Sequence, residues 1–344
     1  MIGVFDRFAA IPSPRRYQLR ERSNVIRDPH GGPIYLCAAP SSDADVATFV
    51  SGAIPMPTFH ARTTSEADFS RQLDAHVDCP HAELVDDRFF ITVSRRSALS
   101  FRAENHEMLL RSIRTVIRSQ AQYSGLDASA PAHMANRNPF HLTEVDQAPF
   151  GVRAYATHGY VAFTRSCVDQ ILSVNGVRQL GWGLWHELGH QHQLSALTPG
   201  SLIEVSANLY ALATQRRFGL PSRLLQAREN GRNAYHRALS KRGTVPYEQL
   251  DDFERLIPLR QLELAYGPGV WGRAHRLVRQ DAPRARTDNT RYGLLAYYAS
   301  LATGRDLSDF FSSRWLFPVE ASHRAMTNSL NLPLPDRDLF ELHE

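Results

Sequence analysis

The first hundred residues contain short apolar runs separated by clusters of proline, serine and aspartate. Runs of this length between turn residues are typical of β-strands, and they predict strands over residues 33–39, 46–54 and 89–93. Residues 65–75 instead have a helical pattern, because Phe69 and Leu73 lie one turn apart and Ser65 is a suitable N-cap. The start of the chain is therefore predicted to combine strands with a short helix.

Helical periodicity dominates the rest of the chain. Residues 104–123 are predicted to form an amphipathic helix. Its apolar stripe consists of Leu109, Ile113, Val116 and Ile117. Residues 128–139 contain asparagine and proline and are predicted to form a loop. From Val168 onward most apolar positions recur at helical spacing. Further helices are predicted over residues 250–257, 259–265, 271–280 and 292–302.

Together these patterns predict the α+β class, with a β-rich N-terminal lobe followed by a mainly helical lobe. The boundary is expected near residues 98–104, just before the first long predicted helix. The chain is accordingly divided into an N-terminal extension over residues 1–30, a β-rich lobe over residues 31–100 and a helical lobe over residues 101–344.

Composition fits a globular enzyme domain and argues against two other classes. The 344 residues are 43% hydrophobic, which is enough to bury a sizeable core. The net charge is +4, but no compact basic run contains interleaved aromatic residues, so no nucleic-acid partner is predicted. No run of about 18 apolar residues predicts a membrane span. The three cysteines are expected to be mostly free thiols, with one disulfide still open.

The first residues do not have the pattern of a secretory signal, because Asp6 and Arg7 interrupt the apolar stretch. Three explanations stay open for a chain of this kind. It is exported by another route, its signal is absent from this chain, or it works inside a cell.

The segment His186-Glu187-Leu188-Gly189-His190 carries the most specific chemistry of the chain. On a helix, positions i and i+4 share a face, so both imidazoles are expected to bind one metal ion. Glu187 is placed to take a proton from a water molecule that the metal activates. Apolar residues at helical spacing flank the motif, which therefore predicts a zinc site on a buried helix.

A third ligand determines the type of zinc site. The metzincin pattern requires a glycine and a histidine at positions that Gln193 and Ala196 occupy, so that class is excluded. Glu204, 14 positions after His190, lies instead in a second predicted helix that follows a turn. Ser201 is a plausible N-cap for that helix, so Glu204 is either a capping-box carboxylate or a ligand, and we favour the ligand. Asn208, one turn further on, is a candidate partner of a ligand.

His192 is the main competitor among the other histidines. On a continuous helix its side chain points roughly 200° away from that of His190, so we expect a polar histidine on a helix face rather than a ligand. His158 has no ligand spacing and is left open.

The segment over residues 181–193, followed by residues 204–210, resembles the zinc peptidase family of viral enhancins and bacterial mucin-degrading peptidases. That family has a His-Glu-x-Gly-His-x-x-Gln core and then a glutamate in a helix that also contains asparagine. Softer similarities extend from about residue 31 to the end of the chain. They lie at residues 32–36, 154–160 and 303–311.

The resemblance implies a gluzincin-type catalytic lobe in which His186, His190 and Glu204 bind Zn²⁺ and Glu187 is the general base. It also implies a protein or glycoprotein substrate, with mucin-type O-glycans near the cleaved bond. Such a substrate points to a secreted or extracellular enzyme. No sugar-contacting motif can be identified in this chain, so the glycan preference rests on the resemblance alone.

A zinc peptidase also needs a donor that stabilises the oxyanion. Tyr160 is our candidate, with Tyr292, Tyr297 and Tyr298 as alternatives, although for any single one the favoured interpretation is a buried tyrosine with a satisfied hydroxyl. The predicted function is a zinc-dependent endopeptidase. Two alternatives stay open: a glycoprotein-binding protein that does not cleave, and a zinc amidase or peptidase acting on cell-wall peptides or intracellular host proteins.

Overall fold

The computed structural model describes residues 2, 14–37, 47–157, 159–227 and 231–344. Over this part of the chain, strands form one mixed sheet. They are β1 (Thr58–His60), β2 (His81–Val85), β3 (Phe89–Ser94), β4 (Phe140–Val145), β5 (Ala154–Thr157) and β6 (Tyr160–Thr164). The order across the sheet is β1-β2-β3-β4-β6-β5. Strands β2 and β3 pair antiparallel, as do β5 and β6, whereas the other neighbours are parallel.

Helices also occur between the strands along the chain, and they predominate after residue 168. The first six are α1 (Glu66–Ala75), α2 (Arg95–Ser100), α3 (His106–Tyr123), α4 (Asp169–Leu172), α5 (Val174–Arg178) and α6 (Trp182–His190). The others are α7 (Ile203–Arg217), α8 (Ala234–Lys241), α9 (Asp252–Tyr266), α10 (Val270–Asp281), α11 (Asp288–Thr303) and α12 (Ala321–Asn328). The protein is therefore of mixed helix and sheet composition.

Two compact units make up the chain. Unit 1 comprises Met1–Arg114 and Arg137–Leu184, and unit 2 comprises Thr115–Asn136 and Trp185–Glu344. These divisions fall inside α3 and α6 and do not coincide with the boundary expected near residues 98–104, which stays a prediction. Strands β4, β5 and β6 also lie in a part of the chain that was expected to be helical. Local periodicity does not identify these three strands, and it does not reveal that β4 pairs with β3 across the 45 intervening residues 95–139.

Unit 1 buries one helix against the sheet much as the sequence predicts. The hydroxyl of Ser65 accepts a hydrogen bond from the backbone N–H of Asp68 at 3.1 Å and caps α1. Phe69 and Leu73 are buried, and the Phe69 ring lies edge-on to Phe59 of β1, with centroids 5.7 Å apart. The helix predicted over residues 65–75 is therefore confirmed.

A polar cluster lies among the side chains of β2, β3 and β4. The hydroxyl of Tyr35 donates to Glu83 at 2.7 Å, and the Thr92 hydroxyl lies 2.9 Å from Nε2 of His141. The His141 ring stacks on Phe90, with centroids 4.2 Å apart. Burial lowers the pKa of His141 to about 3, and burial raises the pKa of Glu83. This cluster carries titratable groups into the interior of unit 1.

The predicted strands near the start of the chain differ from the structure. No strand occurs in residues 33–37, where Ile34 makes an isolated bridge with Ile2, and none occurs in residues 47–54. Residues 38–46 lie outside the part of the chain that is described. A short apolar run forms a strand only when a neighbouring strand pairs with it, and periodicity alone does not show this.

In unit 2, helix α7 is buried along most of its length. Residues 207–215 of α7 are all buried, and α7 packs against α9. The sequence predicts two helices on either side of Pro258, but the structure has the single helix α9. A capping box between Asp251 and Glu254 begins it, so Pro258 lies beyond its first turn and removes one backbone donor without ending it.

None of the described helices is both long and apolar enough to cross a membrane.

Candidate metal centre

Helix α6 carries the two motif histidines at its C-terminal end, one turn apart. The Nε2 atoms of His186 and His190 lie 3.0 Å from each other. Both side chains are largely buried, with 13% and 14% of their surface exposed. The i, i+4 spacing thus brings two imidazole nitrogens to one point, as predicted from the motif.

Glu204 lies in the first turn of α7 and reaches the same point. Its Oε2 lies 2.9 Å from Nε2 of His186 and 3.6 Å from Nε2 of His190. The hydrogen bonds to His186 and His190 hold the pKa of the Glu204 carboxyl well below its usual range, although partial burial opposes them. The sequence expectation that a helix-turn-helix returns Glu204 to the histidines agrees with these distances.

A glycine permits this approach of the two helices. A Cβ atom on Gly189 would lie 2.8 Å from the carbonyl oxygen of Ala207 and 3.0 Å from Cβ of Tyr210. Real side chains do not pack that closely to a backbone carbonyl, so position 189 accommodates α7 only as glycine. Because Ala207 lies three residues after Glu204, this contact determines how near the carboxylate comes to the histidines.

An amide oxygen lies within hydrogen-bonding distance of Nδ1 of each histidine. Nδ1 of His186 lies 2.8 Å from Oδ1 of Asn208, and Nδ1 of His190 lies 3.0 Å from Oε1 of Gln193. An amide oxygen only accepts, so each Nδ1 carries a hydrogen, and when the ring is neutral, as a metal ligand must be, its lone pair is on Nε2. Asn208, a candidate partner of a ligand from the sequence, is thus placed against His186.

The three converging atoms suit a zinc ion. Two imidazole lone pairs and a carboxylate oxygen repel one another unless a cation lies between them. In a tetrahedral zinc site with bonds of about 2.0–2.1 Å, ligand atoms lie roughly 3.3 Å apart. The distances of 2.9, 3.0 and 3.6 Å between Nε2 of His186, Nε2 of His190 and Oε2 of Glu204 are close to that separation. The donor set therefore fits zinc, and two histidines plus a glutamate leave a fourth position open.

Glu187 lies beside the histidines but farther from them than Glu204 does. Its side chain is 11% exposed, and its Oε2 lies 3.9 Å from Nε2 of His190. One potential ligand atom each from His186, Glu187 and His190 lies within 4.8 Å of the others. Burial lowers the pKa of His190, but the hydrogen bonds to Glu204 and Gln193 and the charge of Glu187 outweigh it and raise that pKa. The centre therefore has a negative potential that attracts a cation.

The other histidines near the motif are placed differently. Helix α6 ends at His190, so the helical argument does not extend to His192, which is buried and stacks on Tyr210 with ring centroids 5.5 Å apart. It is not the polar residue on a helix face that the sequence predicts. Burial, and then the charge of Arg279, lower the pKa of His192 to about 4. His158 lies outside the described residues.

The tyrosines proposed as oxyanion donors are in both units. Tyr160 begins β6 in unit 1, where its hydroxyl lies 3.4 Å from that of Tyr155. In unit 2, Tyr292 is buried and hydrogen-bonded to Ser201, and the Tyr298 hydroxyl donates to Asp281 at 3.0 Å. A catalytic role for any of them, Tyr160 included, stays a prediction.

The start of α7 differs from the sequence prediction that Ser201 is its N-cap. Ser201 does not cap the helix, because a short 3₁₀ turn over Gly200–Leu202 precedes it and the Ser201 hydroxyl bonds Tyr292. The capping-box explanation of Glu204 therefore does not apply.

Two residues of the site, Gln193 and Ser206, are not predicted from the sequence alone. The glutamine of the family motif is a signal that could have identified Gln193.

Both the sequence and the fold of this chain are similar to those of known proteins. A family model described as peptidase M60, enhancin and enhancin-like, matches residues 52–315. Mouse TRPM8 channel-associated factor 3 is 26% identical over 199 residues, which are 57% of this chain and 21% of the mouse protein. The chain thus spans about a fifth of the length of this curated relative.

Two of the solved structures with a similar fold illustrate the likeness. A functionally unknown conserved protein from Bacillus anthracis strain Ames is 25% identical, with a TM-score of 0.76 over 86% of this chain and 60% of that one. The M60 catalytic domain of ZmpC from Clostridium perfringens, solved in complex with the sialyl T antigen, is 18% identical. Its TM-score is 0.66, over 85% of this chain and 58% of that one. This chain therefore covers less than two thirds of either structure.

Proposed function

Because this chain belongs to the family of peptidase M60, enhancin and enhancin-like proteins, we propose that it is a zinc-dependent endopeptidase that cleaves glycoproteins. The convergence of Nε2 of His186, Nε2 of His190 and Oε2 of Glu204 within 3.6 Å carries this proposal. A carboxylate at position 187 adds the proton acceptor that peptide hydrolysis needs. Ligands and base together favour cleavage over binding alone.

His186, His190 and Glu204 would hold the ion. When bound, zinc supplies a Lewis acid that polarises the scissile carbonyl and makes water a stronger nucleophile at neutral pH. Glu187 accepts the proton of the attacking water and then donates it to the leaving amine. Its largely buried position limits competing hydrogen bonds with solvent and keeps the carboxylate near the ion. Tyr160 stays our candidate donor to the oxyanion.

The glycoprotein part of the proposal is supported by the relatives. The ZmpC catalytic domain was solved with the sialyl T antigen, and this chain has a similar fold. We extend this to substrates with mucin-type O-glycans, on the resemblance of the motifs. A substrate of that kind also places the activity outside the cell, so a secreted or extracellular location is part of the same proposal.

The test is cleavage of a mucin-type glycoprotein, before and after enzymatic removal of its O-glycans, with the metal content of each protein determined. The Glu187→Gln variant keeps the shape of the side chain but cannot accept a proton. We expect it to bind zinc and to lose about 10²–10⁴-fold in cleavage rate. Glu341→Gln, the same change at an exposed position, is the matched control and should cleave normally.

The outcomes separate the parts of the proposal. Bound zinc with glycan-dependent cleavage supports all of it. Bound zinc with no cleavage of either form rejects the substrate class, and peptide libraries and cell-wall fragments then test the alternative amidase. Failure to bind zinc when it is offered would reject the metal centre.

A further inference from the structure

Gln193 lies just after α6 and contacts both elements that carry the metal ligands. Its backbone N–H bonds the carbonyl of His190, and its side chain reaches across to the first turn of α7. We propose that Gln193 is a positioning residue that makes His190 a metal ligand and ties it to the helix that carries Glu204. This inference rests on the proposed zinc centre.

The orientation of the Gln193 amide is decided by its neighbours on α7. Its Nε2 lies 2.5 Å from the carbonyl oxygen of Ile203 and 2.6 Å from the hydroxyl oxygen of Ser206. A carbonyl only accepts, so the nitrogen must face Ile203. The Ser206 hydroxyl donates its own hydrogen to the Leu202 carbonyl at 2.9 Å, and it therefore accepts from Gln193. Both N–H groups of the amide are used.

With its nitrogen held in this way, the amide can present only its oxygen to His190. Oε1 of Gln193 lies 3.0 Å from Nδ1 of His190, so Nδ1 must donate and carries the hydrogen. The lone pair of His190 is then on Nε2, which faces His186 and Glu204. The opposite tautomer would direct an N–H group at those ligands and could not bind the ion.

The side chain of Gln193 joins α6, which carries His190, to α7, which carries Glu204. Ile203 and Ser206 lie on either side of Glu204 in the first turn of α7, and His190 ends α6. A displacement of α7 away from α6 therefore breaks the bonds of Gln193 as well as the approach of Glu204. Gln193 is partly buried, so water competes less for these bonds than at an open surface.

Three variants separate the two contacts. Gln193→Met removes both of them while keeping a side chain of similar length. Gln193→Glu keeps an acceptor for Nδ1 of His190 but loses the two donors to α7. Ser206→Ala removes one acceptor on α7 and leaves the bond to His190. Gln280→Met, at an exposed position on α10, is the matched control.

The measurement is the zinc dissociation constant of the purified full chain, by competition with a chelator and without substrate. We expect Gln193→Met to bind zinc about 10–100-fold more weakly, as is typical when a partner of a ligand is lost. Gln193→Glu should recover only part of the affinity, because its carboxylate accepts from Nδ1 of His190 but cannot donate to Ile203 and Ser206. Ser206→Ala should fall between Gln193→Glu and the wild type, and the control should match the wild type. Melting temperatures with and without zinc are recorded alongside.

A structural role would lower the melting temperature of the zinc-free protein and leave the rise caused by zinc unchanged, whereas a positioning role reduces that rise. Wild-type affinity in a folded Gln193→Met variant overturns the inference. If that variant does not fold, equal zinc affinity of Gln193→Glu, Ser206→Ala and wild type overturns it. A wild type that binds no zinc instead rejects the proposed function, so the two failures are distinguishable.

Discussion

Each histidine of the metal centre is held by a different amide, and the two amides lie on different elements. Asn208, which is buried, belongs to α7 and bonds His186 of α6, so it joins the two helices as Gln193 does. Its contact with Nδ1 of His186 orients the imidazole ring and leaves Nε2 free for the ion.

Replacing Asn208 by leucine keeps the branched shape of the side chain but removes the acceptor for Nδ1 of His186. We expect zinc to bind about 10-fold more weakly or worse, because the ring loses its preferred tautomer and orientation. Chelator competition checks this. Asn175→Leu, at an exposed site, should leave the affinity unchanged, and unaltered affinity in Asn208→Leu would contradict the role of this residue.

At the scale of elements, the crossing of α6 and α7 depends on the absence of one side chain. Gly189→Ala would place Cβ 2.8 Å from the carbonyl of Ala207. Alanine favours the helix by about 1 kcal/mol, whereas forcing an extra carbon into a packed interface costs roughly 1–3 kcal/mol. Because the obstructing atom belongs to the backbone, we expect the clash to prevail.

The Gly189→Ala variant should be less stable to urea when zinc-free, and it should also bind zinc more weakly, since α7 moves away with Glu204. Gly269→Ala is the control, because its Cβ would meet only the flexible end of Arg273 at 3.4 Å. A variant with wild-type zinc affinity would show that the spacing of the two helices is not critical.

The sequence predicts the structure best where the residues that determine an element all lie within that element. Ser65, Phe69 and Leu73 predict α1, and the motif on α6 predicts two histidines on one face, because caps and periodicity act within a few residues. The return of Glu204 was also anticipated, since it lies close along the chain and the resemblance supports it.

Contacts between distant elements could not be predicted in the same way. The pairing of β4 with β3 depends on which strands meet in space, and α9 continues through Pro258 although a proline inside a helical pattern usually predicts its end. At the site, the contacts of Gln193 with Ile203 and Ser206 follow from the turn between α6 and α7, whose path leaves no periodic signal in the sequence.

At the scale of the whole molecule, a buried histidine makes the stability of unit 1 depend on pH. His141 is 4% exposed, and burial lowers its pKa from about 6.5 in an unfolded chain to about 3. Between these values the unfolded chain binds a proton that the native state does not, so stability decreases as the pH falls through this window. At pH 5 the loss is about 2 kcal/mol.

The His141→Gln variant should therefore lose about 2 kcal/mol less than the wild type between pH 7 and pH 5, even if it is less stable at pH 7. Urea unfolding of zinc-free protein at both pH values measures this, with exposed His236→Gln as the control. An equal loss in wild type and His141→Gln would mean that His141 is protonated in the native state.

The groups of the metal centre lie in one short stretch of chain. His186, Gln193, Glu204 and Asn208 all occur between residues 186 and 208, within unit 2. Few residues have to be ordered to bring them together, so the entropic cost of closing this loop is small. We therefore expect the pair α6 and α7 to be able to capture zinc early in folding, before strands that are distant in sequence have paired. An ion bound at that stage would direct the order of assembly as well as stabilise the product.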